Sequence, residues 1–273
     1  MPEPLRLAWM LEDTAISAKA RLVMAQADAM IARGHRARIV TTGAPVTWRG
    51  SSAEWVYVDD VRQYDRRDDD FVVQGALRML IVDDELYRPG IPSEHEPPRV
   101  LLCGPAQNEG IGEGYGAVAH ARWFHQKLDL IRVSPWTPSK EEPLDSVQEF
   151  HVSLTTAEMT RLVHSCDVLI APNHRGEGFG LFAAEAMASG LACLLTSIPS
   201  FLSFDDVHDY AVFAPEANAV ELGERLIELL SDASLRERLR ARGREVAEQW
   251  RARYVADRLE RFFADRRLTS TSG

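Results

Sequence analysis

Apolar runs of three to six residues alternate along the chain with longer segments in which apolar residues recur every three or four positions. The short runs are typical of buried strands, and the periodic segments are typical of helices. In the first part of the chain the predicted strands are residues 5–10, 38–42, 54–58 and 71–73. One helix is predicted over residues 16–33, and Gly34 is placed to end it.

The alternation resumes after a proline-rich segment, residues 89–98, which is the predicted linker. A glycine-rich segment at 110–116 precedes a helix predicted over 117–128. Thr155 and Glu158 form a capping-box pair that opens a helix ending at His164. The remaining predicted strands are 100–103, 130–133, 150–152, 168–172, 191–196 and 211–213, and further helices are predicted up to 189, over 219–230 and 232–250, and on to about 265.

Strands that alternate with helices predict an α/β fold with parallel sheets and helices on both faces. Two such sets across a linker predict two Rossmann-like domains that face each other across a cleft. We expect a first domain at residues 1–90, a second at 91–250, and a C-terminal helix at 251–273 that crosses back to the first. In such folds ligands bind beyond the carboxyl ends of the strands.

Composition and charge narrow the functional classes. The 273 residues carry a net charge of −10, which argues against nucleic-acid binding. Cys103, Cys166 and Cys193 lie in or beside apolar runs, which favours reduced thiols over disulfides or a metal site. The N-terminus lacks a signal-peptide pattern and no apolar run reaches membrane-spanning length, so we expect a cytoplasmic protein. The acidic triplet at 68–70 is expected to form a solvated turn.

The most informative stretch runs from Glu177 to Gly190, directly after the apolar run 168–172. A strand, a glycine turn and a helix start together make an anion site, because unpaired backbone N–H groups and the helix dipole favour negative charge there. Glu185, one turn inside the helix, is suited to accept hydrogen bonds from a sugar diol. The alternative is that Glu185 forms a local salt bridge and Glu177 is a surface loop residue.

These residues resemble the retaining glycosyltransferases of family 4, which have the GT-B fold. The likeness lies above all in the two glutamates of residues 177–190, with seven residues between them. It extends to Leu86-Tyr87-Arg88-Pro89-Gly90, to residues 100–104 and 166–172, and more weakly to 32–35 and 38–41. The stronger part of the likeness covers residues 85 to about 263.

The resemblance implies transfer of a sugar from a nucleotide-diphosphate sugar to an acceptor hydroxyl, without a metal or another cofactor. Glu177, the expected catalytic residue, would lie near the hydroxyls of the donor sugar. Gly178, Phe179, Gly180 and Leu181 would present backbone N–H groups to the donor, and Glu185 would bind the ribose. The expected acceptor is a carbohydrate, a small molecule or a lipid.

The chain departs from the family pattern at its expected phosphate contacts. Ala18-Lys19 stands where a Gly-Gly pair is usual, and Lys19 is either a phosphate contact or a solvated helix lysine. Pro105 and Glu109 stand where the family has an arginine and a lysine. Arg175 is a candidate substitute, with a plain surface arginine as the alternative.

The first domain is also shorter than the family pattern, with about four strands, and poorly covered apolar faces would favour a homo-oligomer. The alternative function is therefore a catalytically weak or inactive nucleotide-sugar-binding remnant. Two further interpretations are disfavoured. The first is a dinucleotide-binding loop, because the glycines of 110–116 do not have its spacing. The second is that His174 faces the cleft, because a lone histidine is more typical of the surface.

Overall fold

The computed structural model describes residues 3–90, 95–178 and 180–270, so part of the predicted linker and Phe179 lie outside the described residues. The described chain forms two compact units. One takes in the described residues up to Asp84 and from Gln249 onward, and the other spans Glu85–Glu248.

The described residues contain ten strands and eight α-helices. The strands are β1 (Arg6–Leu11), β2 (Arg36–Thr41), β3 (Glu54–Tyr57), β4 (Phe71–Gln74), β5 (Arg99–Cys103), β6 (Asp129–Ser134), β7 (Glu149–Val152), β8 (Val168–Ala171), β9 (Ala192–Thr196) and β10 (Val212–Ala214). The helices are α1 (Ala18–Ala32), α2 (Glu109–Trp123), α3 (Thr156–His164), α4 (Leu181–Ser189), α5 (Pro199–Leu202), α6 (Ala219–Ser231), α7 (Ala233–Ala247) and α8 (Ala252–Ser270).

The first unit is a four-stranded parallel sheet in the order β3-β2-β1-β4. The C-terminal helix α8 packs beside α1, and its Phe263 meets the fully buried Trp9 of β1 edge to face. On the other face of the sheet, Met10 and its neighbours are covered by a loop that carries Val61 and Tyr64. Two α-helices therefore cover one face of this sheet, and a segment with a short 3-10 helix, Val61–Gln63, covers the other.

The acidic triplet of this unit is more buried than the sequence predicts. The Asp69 side chain is 1% exposed, accepts a hydrogen bond of 2.8 Å from the Tyr64 hydroxyl and lies 3.7 Å from the Arg38 guanidinium. Asp70 accepts the backbone N–H of Arg6 at 2.8 Å. The triplet directly precedes β4, which pairs with β1. The Asp69 and Asp70 carboxylates therefore lie at the N-terminal ends of these two strands. The prediction of a solvated turn is wrong for Asp69.

The second unit is a six-stranded parallel sheet in the order β10-β9-β8-β5-β6-β7. Strand β5 pairs with β6 on one side and with β8 on the other, so the successive strands run outward from β5 in opposite directions across the sheet. Helices α2 and α6 pack together over alternate residues of β5, β8 and β9, while α4 packs against α7 and β9. The segments after β5 and β8 therefore leave the sheet side by side at its carboxyl edge, where ligands bind in open α/β sheets.

The glycine-rich segment 110–116 forms the first half of α2, so the predicted helix start at 117 is wrong. An alanine Cβ at Gly110 would lie 1.6 Å from the carbonyl oxygen of Pro172. At Gly116 a Cβ would lie 2.9 Å from the Cβ of Ala219 on α6. The missing side chains thus let α2 lie directly against the segment after β8 and against α6. A regular helix here also excludes the dinucleotide-loop interpretation.

Two glycines of α2 offer a direct test of this packing. Gly110→Ala forces a clash with backbone, and we expect it to lower the free energy of unfolding by about 3 kcal/mol. Gly112 is exposed with nothing within 4 Å of its missing Cβ. Gly112→Ala should therefore stabilise the protein by about 0.5–1 kcal/mol, because alanine favours a helix. Urea unfolding of both variants measures the difference, and equal effects would contradict the close approach.

Candidate functional site

The candidate site is built on the segment that joins β8 to α4 in the second unit. Gly176, Gly178 and Gly180 have φ angles of 91°, 97° and 78°, which side-chain-bearing residues rarely adopt. Gly180 is the N-cap of α4 and contributes no side-chain cap to the first turn of the helix. The Gly178 carbonyl accepts a hydrogen bond of 3.1 Å from the Ser200 hydroxyl. The glycines therefore shape a tight turn that ends at a helix N-terminus, as the anion-site interpretation requires.

Glu177 is half-buried and closes this turn. Its Oε2 accepts the backbone N–H of His174 at 2.9 Å, and its own N–H donates to the His174 carbonyl at 3.1 Å. The Asn173 amide approaches the Glu177 carbonyl at 3.4 Å. Glu177 is thus fixed within the turn, unlike a free surface loop residue.

Glu185 lies in the middle of α4 and is only 2% exposed. Its neighbours in sequence, Ala184, Ala186 and Met187, are fully buried. Burial of a carboxylate among apolar groups is costly unless hydrogen bonds compensate for it. Burial alone leaves open both the ribose-binding role and the local salt bridge expected as its alternative for Glu185. Leu181, the first residue of α4, is also buried, so only its backbone can face a ligand.

The His174 imidazole lies between two carboxylates of α2. Its Nε2 is 2.8 Å from Oε1 of Glu113, and its Nδ1 is 3.2 Å from Oε2 of Glu109. Burial lowers the pKa of His174, but the hydrogen bond and charge of Glu113, together with the charges of Glu177 and Glu109, raise it above its ordinary value. The other Glu113 oxygen accepts the N–H of Ala217 at 3.1 Å.

Arg175 is engaged by a carboxylate of the loop after β10. Its Nε lies 2.8 Å from one oxygen of Glu216, and its backbone N–H donates to the other at 3.0 Å. The Arg175 side chain is 70% exposed, so this pair is screened by solvent. Lys19, the other candidate phosphate contact, belongs to the first unit, where it is exposed in the first turn of α1 beside Gly75.

The structure brings together Glu177, Gly178, Gly180, Leu181, Glu185 and Arg175 in the second unit. Sequence reasoning missed Glu113 and Glu216 and treated His174 as a surface residue, although its side chain is 17% exposed. The signal was present in the spacing of Glu109 and Glu113, which places both on one face once the glycine segment is helical.

Pro105 lies in the segment between β5 and α2, and Glu109 opens α2 with a side chain that is 84% exposed. Among residues 3–90, 95–178 and 180–270, no three His, Cys, Asp or Glu side chains are grouped as ligands for a metal ion. Within the same ranges, no helix combines the length and hydrophobicity needed to cross a bilayer.

Part of the second unit is similar to known glycosyltransferases. Residues 138–246, which lie within the second unit, match the family model of the glycosyl transferases group 1. The chain is 34% identical over 105 residues to a phosphatidyl-myo-inositol mannosyltransferase of Mycobacterium tuberculosis. That alignment covers 37% of this chain and 28% of the relative, so the chain matches less than a third of the relative's length.

Solved structures extend the likeness to nearly the whole chain. The glycosyltransferase WaaG, involved in lipopolysaccharide biosynthesis, matches with a TM-score of 0.67 and 16% identity over 92% of this chain and 98% of its own. Anabaena HepE, crystallised with UDP and glucose, matches with a TM-score of 0.70 and 9% identity over 95% of this chain and 99% of its own. The α/β fold with two parallel sheets, predicted from the sequence, is confirmed as that of GT-B glycosyltransferases.

The glycine turn should respond unequally to substitution at its two described glycines nearest α4. Gly178→Ala and Gly180→Ala each force an alanine into a left-handed conformation, which costs about 1–2 kcal/mol. A Cβ at Gly178 meets nothing within 4 Å, whereas at Gly180 it would lie 2.7 Å from Phe204 and 3.0 Å from Phe201. Thermal unfolding should therefore show the larger loss for Gly180→Ala. A larger loss for Gly178→Ala would contradict this geometry.

Proposed function

We propose that this protein is a retaining glycosyltransferase that binds a nucleotide-diphosphate sugar in its second unit and transfers the sugar to an acceptor hydroxyl. The observation that carries the proposal is the turn after β8, in which Glu177 and three left-handed glycines lead into α4 and its buried Glu185. The group 1 match of residues 138–246 and the GT-B fold support it.

Each part of the turn has a role that suits its position. The N-terminus of α4 and the backbone N–H groups near Gly178, Gly180 and Leu181 offer partial positive charge to the donor diphosphate. Glu185 accepts hydrogen bonds from the ribose diol, and Glu177 accepts them from the donor sugar. The acceptor attacks on the face from which the diphosphate leaves, and the leaving phosphate takes the proton. This chemistry requires neither a metal nor another cofactor.

One observation favours a second candidate, a unit that binds nucleotide sugars with little or no transfer. Glu109 opens α2 where the resemblance would place a lysine, and Glu113, Glu177 and Glu216 add further negative charge nearby. A developing negative charge on the leaving diphosphate would meet more carboxylates than cations. Loss of a single stabilising donor at such a centre typically costs about 3 kcal/mol of the barrier.

Calorimetry tests the binding site that both candidates share. Titration of the protein with UDP, GDP and dTDP should identify at least one nucleotide that binds. Glu185→Gln should weaken that nucleotide by about tenfold or more, because the amide donates where the ribose hydroxyls need an acceptor. Glu224→Gln, on the exposed face of α6, is the matched control. Unchanged affinity in Glu185→Gln would refute the site assignment.

Turnover separates the two candidates. The donor panel should include UDP-glucose, GDP-mannose and UDP-N-acetylgalactosamine, with and without lipid-linked and soluble sugar acceptors. Sugar transfer or donor hydrolysis that falls by about 100-fold in Glu177→Gln would support transfer. NMR of the product would show retention of the anomeric configuration. Tight nucleotide binding without turnover on the whole panel would instead establish the second candidate.

A further inference from the structure

Carboxylates connect three separate segments at the carboxyl edge of the second sheet. The turn of residues 173–178 is joined to α2 through His174 and to the loop after β10 through Arg175. Glu113 also accepts a backbone N–H from that loop, at Ala217. His174 is thus the residue through which the turn is tied to α2 by side-chain contacts with both Glu109 and Glu113.

We propose that His174, as an imidazolium, is a positioning residue that holds the turn of residues 173–178 against α2, so that donor affinity falls as pH rises through its titration. This inference rests on the proposed function, because the turn carries Glu177 and leads to the proposed diphosphate site. His174 is assigned no chemical step. It acts by fixing the backbone that faces the donor.

The geometry favours the charged form of the ring. A neutral imidazole has one N–H, which the 2.8 Å contact with Glu113 would use. Its second nitrogen would then present a lone pair to the Glu109 carboxylate at 3.2 Å. Only the imidazolium can face both carboxylates favourably, and charge-assisted hydrogen bonds of this kind are the stronger ones.

Loss of the proton would also change the charge that a donor meets. The charged groups around the ring come from three segments: Glu109 and Glu113 of α2, Arg175 and Glu177 of the turn, and Glu216 of the loop after β10. With His174 protonated, these side chains carry two net negative charges, and with His174 neutral they carry three. A looser turn and a more negative site both weaken binding of a diphosphate.

The direction of the pH effect follows from the raised pKa of His174. The contribution of the charged ring to stability is fully present below the ordinary histidine value of about 6.5. It is lost as pH rises through the higher value of the folded protein. The turn should therefore be held firmly at pH 6 and more loosely at pH 9.

The primary experiment measures the affinity of the wild-type protein for a nucleotide sugar from pH 6 to 9. UDP-glucose and GDP-mannose suit this purpose because their diphosphate diesters do not titrate in this range. We expect affinity to fall by about fivefold or more with rising pH. His174→Gln keeps an N–H for Glu113 but cannot titrate, so its affinity should be independent of pH. His164→Gln, at the end of α3, where the ring hydrogen-bonds the Arg88 carbonyl at 2.9 Å, should keep the wild-type profile.

A second variant distinguishes positioning from a general loss of structure. Glu113→Gln removes the main stabilising charge on the ring, so the midpoint of the binding profile should shift to lower pH. NMR titration of the His174 ring in the same variant should show the same shift. If His174→Gln does not fold, agreement between the wild-type ring titration and the wild-type binding profile still tests the proposal. A flat wild-type profile, or a pH-dependent His174→Gln, would overturn it.

The two proposals fail in different ways. If the protein binds no nucleotide sugar at any pH, the proposed function fails. Hydrogen exchange of the backbone amides in residues 173–178 then still tests the contact with α2. Their protection factors should drop between pH 6 and 9 in the wild type and remain constant in His174→Gln. Binding with a flat profile overturns the role of His174 alone and leaves the proposed function standing.

Discussion

The carbonyl oxygen of Pro172 lies so close to the Gly110 backbone that no side chain fits between them. This single approach sets where the first turn of α2 stands relative to the segment after β8. Because α2 is close, Glu109 and Glu113 reach the ring of His174 on that segment. A methyl group at residue 110 would push the helix outward and separate these charges. The geometry of the candidate site therefore depends on a backbone contact in which no candidate functional side chain takes part.

The same approach gives two neighbouring helix N-termini different electrostatic surroundings. Helix α2 begins with Glu109, a carboxylate that interacts favourably with the helix dipole. Helix α4 begins after Gly180, which places no side chain at the helix start. The first N-terminus is thus complemented by the protein's own negative charge. Under the proposed function, the second N-terminus is the one that would face the bound anion, and Glu177 and Glu185 lie on either side of it.

Local signals in the sequence were sufficient for most elements. The capping box of Thr155 and Glu158 and the left-handed Gly34 after α1 are both present. Each depends on residues within a few positions, so a single sequence reveals it. The helical glycines of 110–116 did not follow from such signals, because glycine has low helix propensity and the reason for it here is the distant Pro172. The burial of Asp69 and the carboxylates around His174 likewise depend on segments far apart in the chain.

In the resemblance to the family 4 glycosyltransferases, Glu109 stands at a lysine position, and under the proposed function this difference changes more than one charge. In isolation, an acidic residue at the lysine position would only weaken diphosphate binding. Here the carboxylate also interacts with the dipole of α2 and lies 3.2 Å from His174, so the local structure gains contacts from it. Stability and donor chemistry therefore place opposite demands on this residue. Under the proposed function, a chain that keeps Glu177, Glu185 and also Glu109 would bind a nucleotide sugar well and transfer it slowly.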